Sequence, residues 1–169
     1  MKYFWDANIC IYLIKGDNSY LIDKISNWSP EDFTLSSIMV AELEYGVGKS
    51  QQKERNIFAL ERFIISFKIL SFGSAAEKKY GDIRAHLERQ GLLIVGLYYF
   101  IVAQALSLNL KIITNNCAEF TRIDGLVVED WSRGWKKKFL SPDPIKVSRP
   151  RDYADSQENT DPIQAREWY

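Results

Sequence analysis

The sequence predicts an α/β fold built on a mainly parallel sheet. Short apolar runs recur at Tyr3-Phe4-Trp5, Phe33-Thr34-Leu35, Phe67 to Leu70, Lys111-Ile112-Ile113 and Leu126-Val127-Val128. Segments with apolar residues at helical spacing separate them, the alternation of a parallel sheet. The first run is unbroken rather than alternating, as expected of a strand buried on both faces.

In order, Tyr3 to Trp5 are bulky and favour a strand. The period then changes: Asn8 is a candidate helix cap, and Ile9, Tyr12 and Leu13 follow at helical spacing. Tyr20, Leu21, Lys24, Ile25 and Trp28 predict a second helix, ended by the turn residues Ser29-Pro30-Glu31-Asp32. After the strand at 33–35, Ser36 and Ser37 are candidate caps of a helix from Ile38 to about Val47, with Gly46 and Gly48 helping to end it. Ile57, Leu60, Phe63 and Ile64 mark the next helix. Ser74 and Glu77 have capping-box spacing ahead of the stripe Ala76, Tyr80, Ile83 and Leu87, which Gly91 stops. Leu97 to Leu108 reads as an apolar helix. Thr114-Asn115-Asn116 is a loop at the end of the strand 111–113.

From Ser141 the composition changes to Pro, Asp, Ser and Asn with no apolar period. We expect one domain over residues 1–140 and an extended or disordered tail over 141–169. Lys plus Arg and Asp plus Glu each total 22; four basic and six acidic residues lie beyond 140, leaving a body of 18 against 16. That balance neither demands nor excludes nucleic acid. Two cysteines, Cys10 and Cys117, cannot build a secreted disulfide framework, so the expected location is the cytoplasm. Leu92 to Leu108 is the one membrane-like stretch; it contains Gln104, lacks basic flanks, and reads as a buried core helix.

Four residues carry possible chemistry. Asp6 stands at the carboxyl end of a strand, where open α/β sheets bind ligands; it reads either as a ligand-binding carboxylate or as a helix cap. Glu42 lies in a helix that is apolar almost all round, and a buried Glu needs a cation, a donor or an ion-pair partner. Asn116 and Glu119 follow another strand end. Together Asp6, Glu42 and Glu119 are oxygen ligands of the kind that hard cations select. His86 is the sole histidine and has no Cys or His at metal spacing, which speaks against zinc. No G-x-S-x-G or G-x-x-x-x-G-K stretch is present. Arg133 and Lys136 to Lys138, beside Trp131 and Trp135, form a basic cluster that suits phosphates or merely a solvated face.

These segments resemble one family. Asp6-Ala-Asn8-Ile-Cys-Ile-Tyr-Leu-Ile is similar to the opening of PIN-domain ribonucleases, specifically VapC-type toxins. Ser36-Ser-Ile-Met-Val-Ala-Glu42-Leu-Glu-Tyr-Gly46-Val resembles their second motif. Ile83-Arg-Ala-His-Leu-Glu, Ile101-Val-Ala-Gln-Ala-Leu-Ser-Leu and Thr114-Asn-Asn116-Cys-Ala-Glu119-Phe also fit, so the resemblance spans about Lys2 to Trp131.

The resemblance implies a PIN-like three-layer α/β/α sandwich with acidic residues at one end of a mainly parallel sheet. It implies an Mg²⁺- or Mn²⁺-dependent endoribonuclease that cuts RNA, often transfer RNA. It also implies a homodimer blocked by a VapB-type antitoxin, with no membrane partner. Asp6 and Glu42 match the family's first two acids, and Asn116 with Glu119 its last polar-acidic pair. Asp6, Glu42 and Glu119 are the expected metal ligands. The family's third acid is an Asp where this chain has Tyr98, neutral at pH 7 and a poor Mg²⁺ ligand. The expectation is therefore an impaired nuclease toxin. The alternative is a non-catalytic toxin relative that binds antitoxin or RNA.

Overall fold

The computed structural model describes residues 1–94 and 96–133. Five short strands form one parallel sheet: β1 Tyr3–Trp5, β2 Phe33–Ser36, β3 Lys68–Leu70, β4 Lys111–Ile113 and β5 Val128–Glu129, in the order β3-β2-β1-β4-β5. Seven helices connect and cover them: α1 Ala7–Lys15, α2 Ser19–Ile25, α3 Ser37–Lys49, α4 Lys53–Ile64, α5 Ser74–Gln90, α6 Gly96–Ser107 and α7 Cys117–Phe120. This is the expected α/β sandwich. The expected tail, residues 141–169, lies outside the described residues, as do Trp135 and Lys136 to Lys138.

The local chemistry explains the helix ends and corrects four expectations. Asp6, not Asn8, caps α1, accepting from the Ala7 N–H at 2.8 Å. A cap oxygen on the residue directly after the strand lets the helix start at once. Helix α2 stops at Ile25, and Trp28 instead packs edge-on against Tyr3 at 5.1 Å. Gly46 and Gly48 lie inside α3, which runs on to Lys49; Gly46 is buried, so tertiary packing outweighs the glycine penalty. Ser74 is the first residue of α5, Gly73 occupies the cap position, and no side chain caps that end. Gly91 does stop α5, in the left-handed conformation at φ 67° that glycine adopts freely.

The core is aromatic on one face of the sheet. Trp5 packs on Phe33, Phe63 and Phe67, and Tyr3 on Trp28, Phe33 and Trp131. Burying each such side chain contributes roughly 1.5–3 kcal/mol against the entropy of ordering the chain. Of the membrane-like stretch, Gly96–Ser107 forms the largely buried helix α6, while Leu92, Leu93 and Leu108 are exposed. Among the described residues no helix is long and apolar enough to cross a membrane.

Strand order places the site. From β1 the chain adds β2 and then β3 on one side, and later returns to add β4 and β5 on the other. The order reverses between β1 and β4, and in open parallel sheets the crevice outside the strand ends at such a point is where ligands bind. Trp5 pairs with Ile113, so Asp6 and Thr114 emerge side by side there.

Candidate functional site

Asp6 is buried at 2% exposure, with both carboxylate oxygens engaged. Oδ1 accepts from the Ala7 N–H at 2.8 Å and Oδ2 from the Thr114 hydroxyl at 2.6 Å. The Thr114 oxygen accepts in turn from the Asn116 N–H at 3.0 Å. Asp6 is thus both the helix cap and the carboxylate at the strand end. Burial raises its pKa, and the bonds from Thr114 and Ala7 act against that rise.

Asn116 links Asp6 to α6. Its Nδ2 donates to the Tyr98 hydroxyl at 3.2 Å. Tyr98 is 3% exposed, and its ring lies 4.7 Å from that of Phe120 on α7. Its pKa is pushed up to about 12, first by burial and then by the negative charge of Asp6, with a smaller push from Glu119, while the Asn116 bond lowers it. The phenol is therefore neutral at physiological pH. Glu119 is half-buried in the first turn of α7, its backbone N–H donating to the Asn116 carbonyl at 3.3 Å. Four of the sequence's candidates, Asp6, Tyr98, Asn116 and Glu119, thus share one corner.

Glu42 lies on α3, the helix that follows β2. It is half-buried on α3, and its helical neighbours Ala41 and Tyr45 are exposed, so the expected all-round burial of this helix is not found. Helix α3 has a polar seam: Glu44, Lys49 and Gly48 also face water. Ser36 caps α3 at the carboxyl end of β2, the strand beside β1, so α1 and α3 start from the same sheet edge. Among the described residues no three His, Cys, Asp or Glu side chains group closely enough to hold a metal ion.

Two residues of the site escaped sequence reasoning. Thr114 orients Asp6. Gln104, buried at 1%, accepts from the Ser36 hydroxyl at 2.6 Å and donates to the carbonyls of Leu70 at 3.0 Å and Ser71 at 2.9 Å. It ties the ends of β2 and β3 to the helix that carries Tyr98. A lone Gln in an otherwise apolar helix was the available signal, since a buried amide must find partners.

Residues 3–126 match the PIN domain family. Ribonuclease VapC2 of Rickettsia felis is 37% identical over 134 residues, covering 79% of this chain and all of the relative. The tRNA(fMet)-specific endonuclease VapC of Shigella flexneri is 39% identical over 132 residues, covering 78% of this chain and 99% of the relative. Among solved structures, VapBC2 from Rickettsia felis bound to a promoter DNA fragment superposes with a TM-score of 0.73 at 35% identity, covering 78% of this chain and 99% of that one. The chain belongs to the PIN-domain family and, within it, to the VapC ribonucleases.

Proposed function

We propose that the chain is a VapC-type endoribonuclease toxin whose acidic centre is one carboxylate short. The observation behind this reading is Tyr98, buried and neutral between Asp6 and Glu119 where the family resemblance expects an Asp. Asp6, Glu42 and Glu119 are hard oxygen donors, so the set fits Mg²⁺ (or Mn²⁺) in kind while lacking one charge. Those three residues are the candidate ligands, and holding an ion would require them to come closer together than they stand here. When bound, such an ion supplies activated water and charge stabilisation for phosphodiester hydrolysis.

The chain's own residues prepare that corner. Thr114 and the Ala7 N–H fix the Asp6 carboxylate, and Asn116 holds Tyr98. RNA, including transfer RNA, is the substrate class of this reading, by likeness to the named relatives. A VapB-type antitoxin is the partner, because the similar solved structures are VapBC complexes. We take the working form to be a homodimer.

The test is cleavage of RNA by the purified protein with Mg²⁺ and with Mn²⁺, beside Tyr98→Asp and Tyr98→Ala. The parent and Tyr98→Ala should cleave slowly, and Tyr98→Asp roughly tenfold faster or more, equivalent to about 1.4 kcal/mol of barrier. Robust cleavage by the parent, unchanged in Tyr98→Asp, would show that position 98 is not the third acid.

A further inference from the structure

A groove of about 470 Å³ lies outside the acidic corner. One wall is α5, with Lys79, Asp82, His86 and Arg89; the other is the segment after α7, with Arg122 and Asp124. Its floor is apolar, from Leu87, Leu106 and Ile123. The groove adjoins the site through α7. Arg122 follows Glu119 by three residues, the Ile123 N–H donates to the Phe120 carbonyl at 3.2 Å, and Phe120 packs on Tyr98.

Its cations stand ready for an anion. Lys79, Arg89 and Arg122 are exposed, and among the described residues none is held in an ion pair. Arg84, on the same helix but outside the groove, is by contrast committed to Glu88 at 2.8 Å and to the Tyr80 hydroxyl. Three unpaired cations, an apolar floor and two carboxylates that can accept N–H groups match the parts of a nucleotide: phosphate, base face and base edge. The size lies within the range of small-ligand pockets, about 300–1,000 Å³. Guanidinium planes also stack on unpaired bases.

We propose that this groove binds single-stranded RNA beside the acidic corner, with Arg89 and Arg122 on its phosphates and the apolar floor under a base. The proposal rests on the ribonuclease reading and names where its substrate lies. A peptide bears both charges too, but the excess of unpaired cations favours the polyanion.

The experiment is fluorescence anisotropy of the full chain with a labelled short single-stranded oligoribonucleotide in EDTA, at several KCl concentrations. EDTA separates binding from cleavage. Arg89→Ala combined with Arg122→Ala should weaken binding roughly tenfold or more and flatten the salt slope by about 1.4, two contacts at about 0.7 each. Arg84→Ala should bind as the parent does. Both substituted positions are exposed, so circular dichroism should show an unchanged fold. Equal affinity and salt slope for parent and double variant would overturn the proposal and leave the ribonuclease reading standing. No RNA binding by the parent would overturn the proposal, while cleavage with Mg²⁺ or Mn²⁺ would remain the separate test of the ribonuclease reading.

Discussion

The Asn116 side chain donates to the Tyr98 hydroxyl across 3.2 Å, joining the loop after β4 to the first turn of α6. This bond occupies the corner with a neutral pair. Tyr98→Phe removes the acceptor but keeps the packing on Phe120, so it should cost about 1 kcal/mol. Tyr98→Asp instead buries a new charge near Asp6 and Glu119, and it should lower the melting temperature without metal. Added Mg²⁺ or Mn²⁺ should recover that loss, because an ion that binds the native state stabilises it. A thermal shift in Mn²⁺ that is the same for parent and Tyr98→Asp would contradict this account.

Burial opposes a charge on Asp6 and raises its pKa. Asp6→Asn keeps an oxygen for the Ala7 N–H but puts an NH2 where the Thr114 hydroxyl now donates. Relief of a buried charge and loss of that acceptor oppose each other, so stability at pH 7 should change by no more than about 1 kcal/mol while any cleavage is removed. Urea unfolding beside an RNA assay measures both.

Gln104 should be the more damaging position. Gln104→Leu keeps the volume but strips partners from the Ser36 hydroxyl and the carbonyls of Leu70 and Ser71. We expect a loss of about 2–4 kcal/mol, read as a lower urea midpoint at unchanged slope.

Glu129 gives a pH signature away from the site. Its burial raises the pKa, but bonds from Trp131 Nε1 at 2.8 Å and Lys111 at 3.1 Å outweigh this, and the net shift is downward. A folded pKa below the unfolded one adds stability above the unfolded carboxylate pKa, and that stability is lost as pH falls through the folded value. Glu129→Gln should therefore melt below the parent at pH 7, and the difference should shrink below about pH 4. A gap that stays constant from pH 7 to pH 3 would rule out the charge as its source.

Removing residues 141–169 should leave the melting temperature within a few degrees of the full chain, because the family match ends at 126. A large drop on scanning calorimetry would make the tail part of the domain.

Local chemistry was enough to write most of this fold. The buried runs at β1, β2 and β4 became inner strands as bulky and β-branched stretches do between covered faces, while β3 is a largely exposed edge and the last strand is Val128–Glu129 rather than 126–128. Asp6 was legible as a candidate because a polar residue directly after a buried strand stands out against its surroundings, whereas Glu119 lies six residues past β4, in α7. Sequence also fixed the absence of a carboxylate at Tyr98. The helix ends were less legible: a cap depends on whether one oxygen reaches one N–H, so Asp6 and Gly73 took the places expected of Asn8 and Ser74. Tertiary structure alone decided the strand order that sets Asp6 beside Thr114, the half-exposure of Glu42, and the bonds of Gln104. Those bonds join residues between 33 and 108 positions apart, and the pairing depends on how the layers pack, which no local pattern encodes.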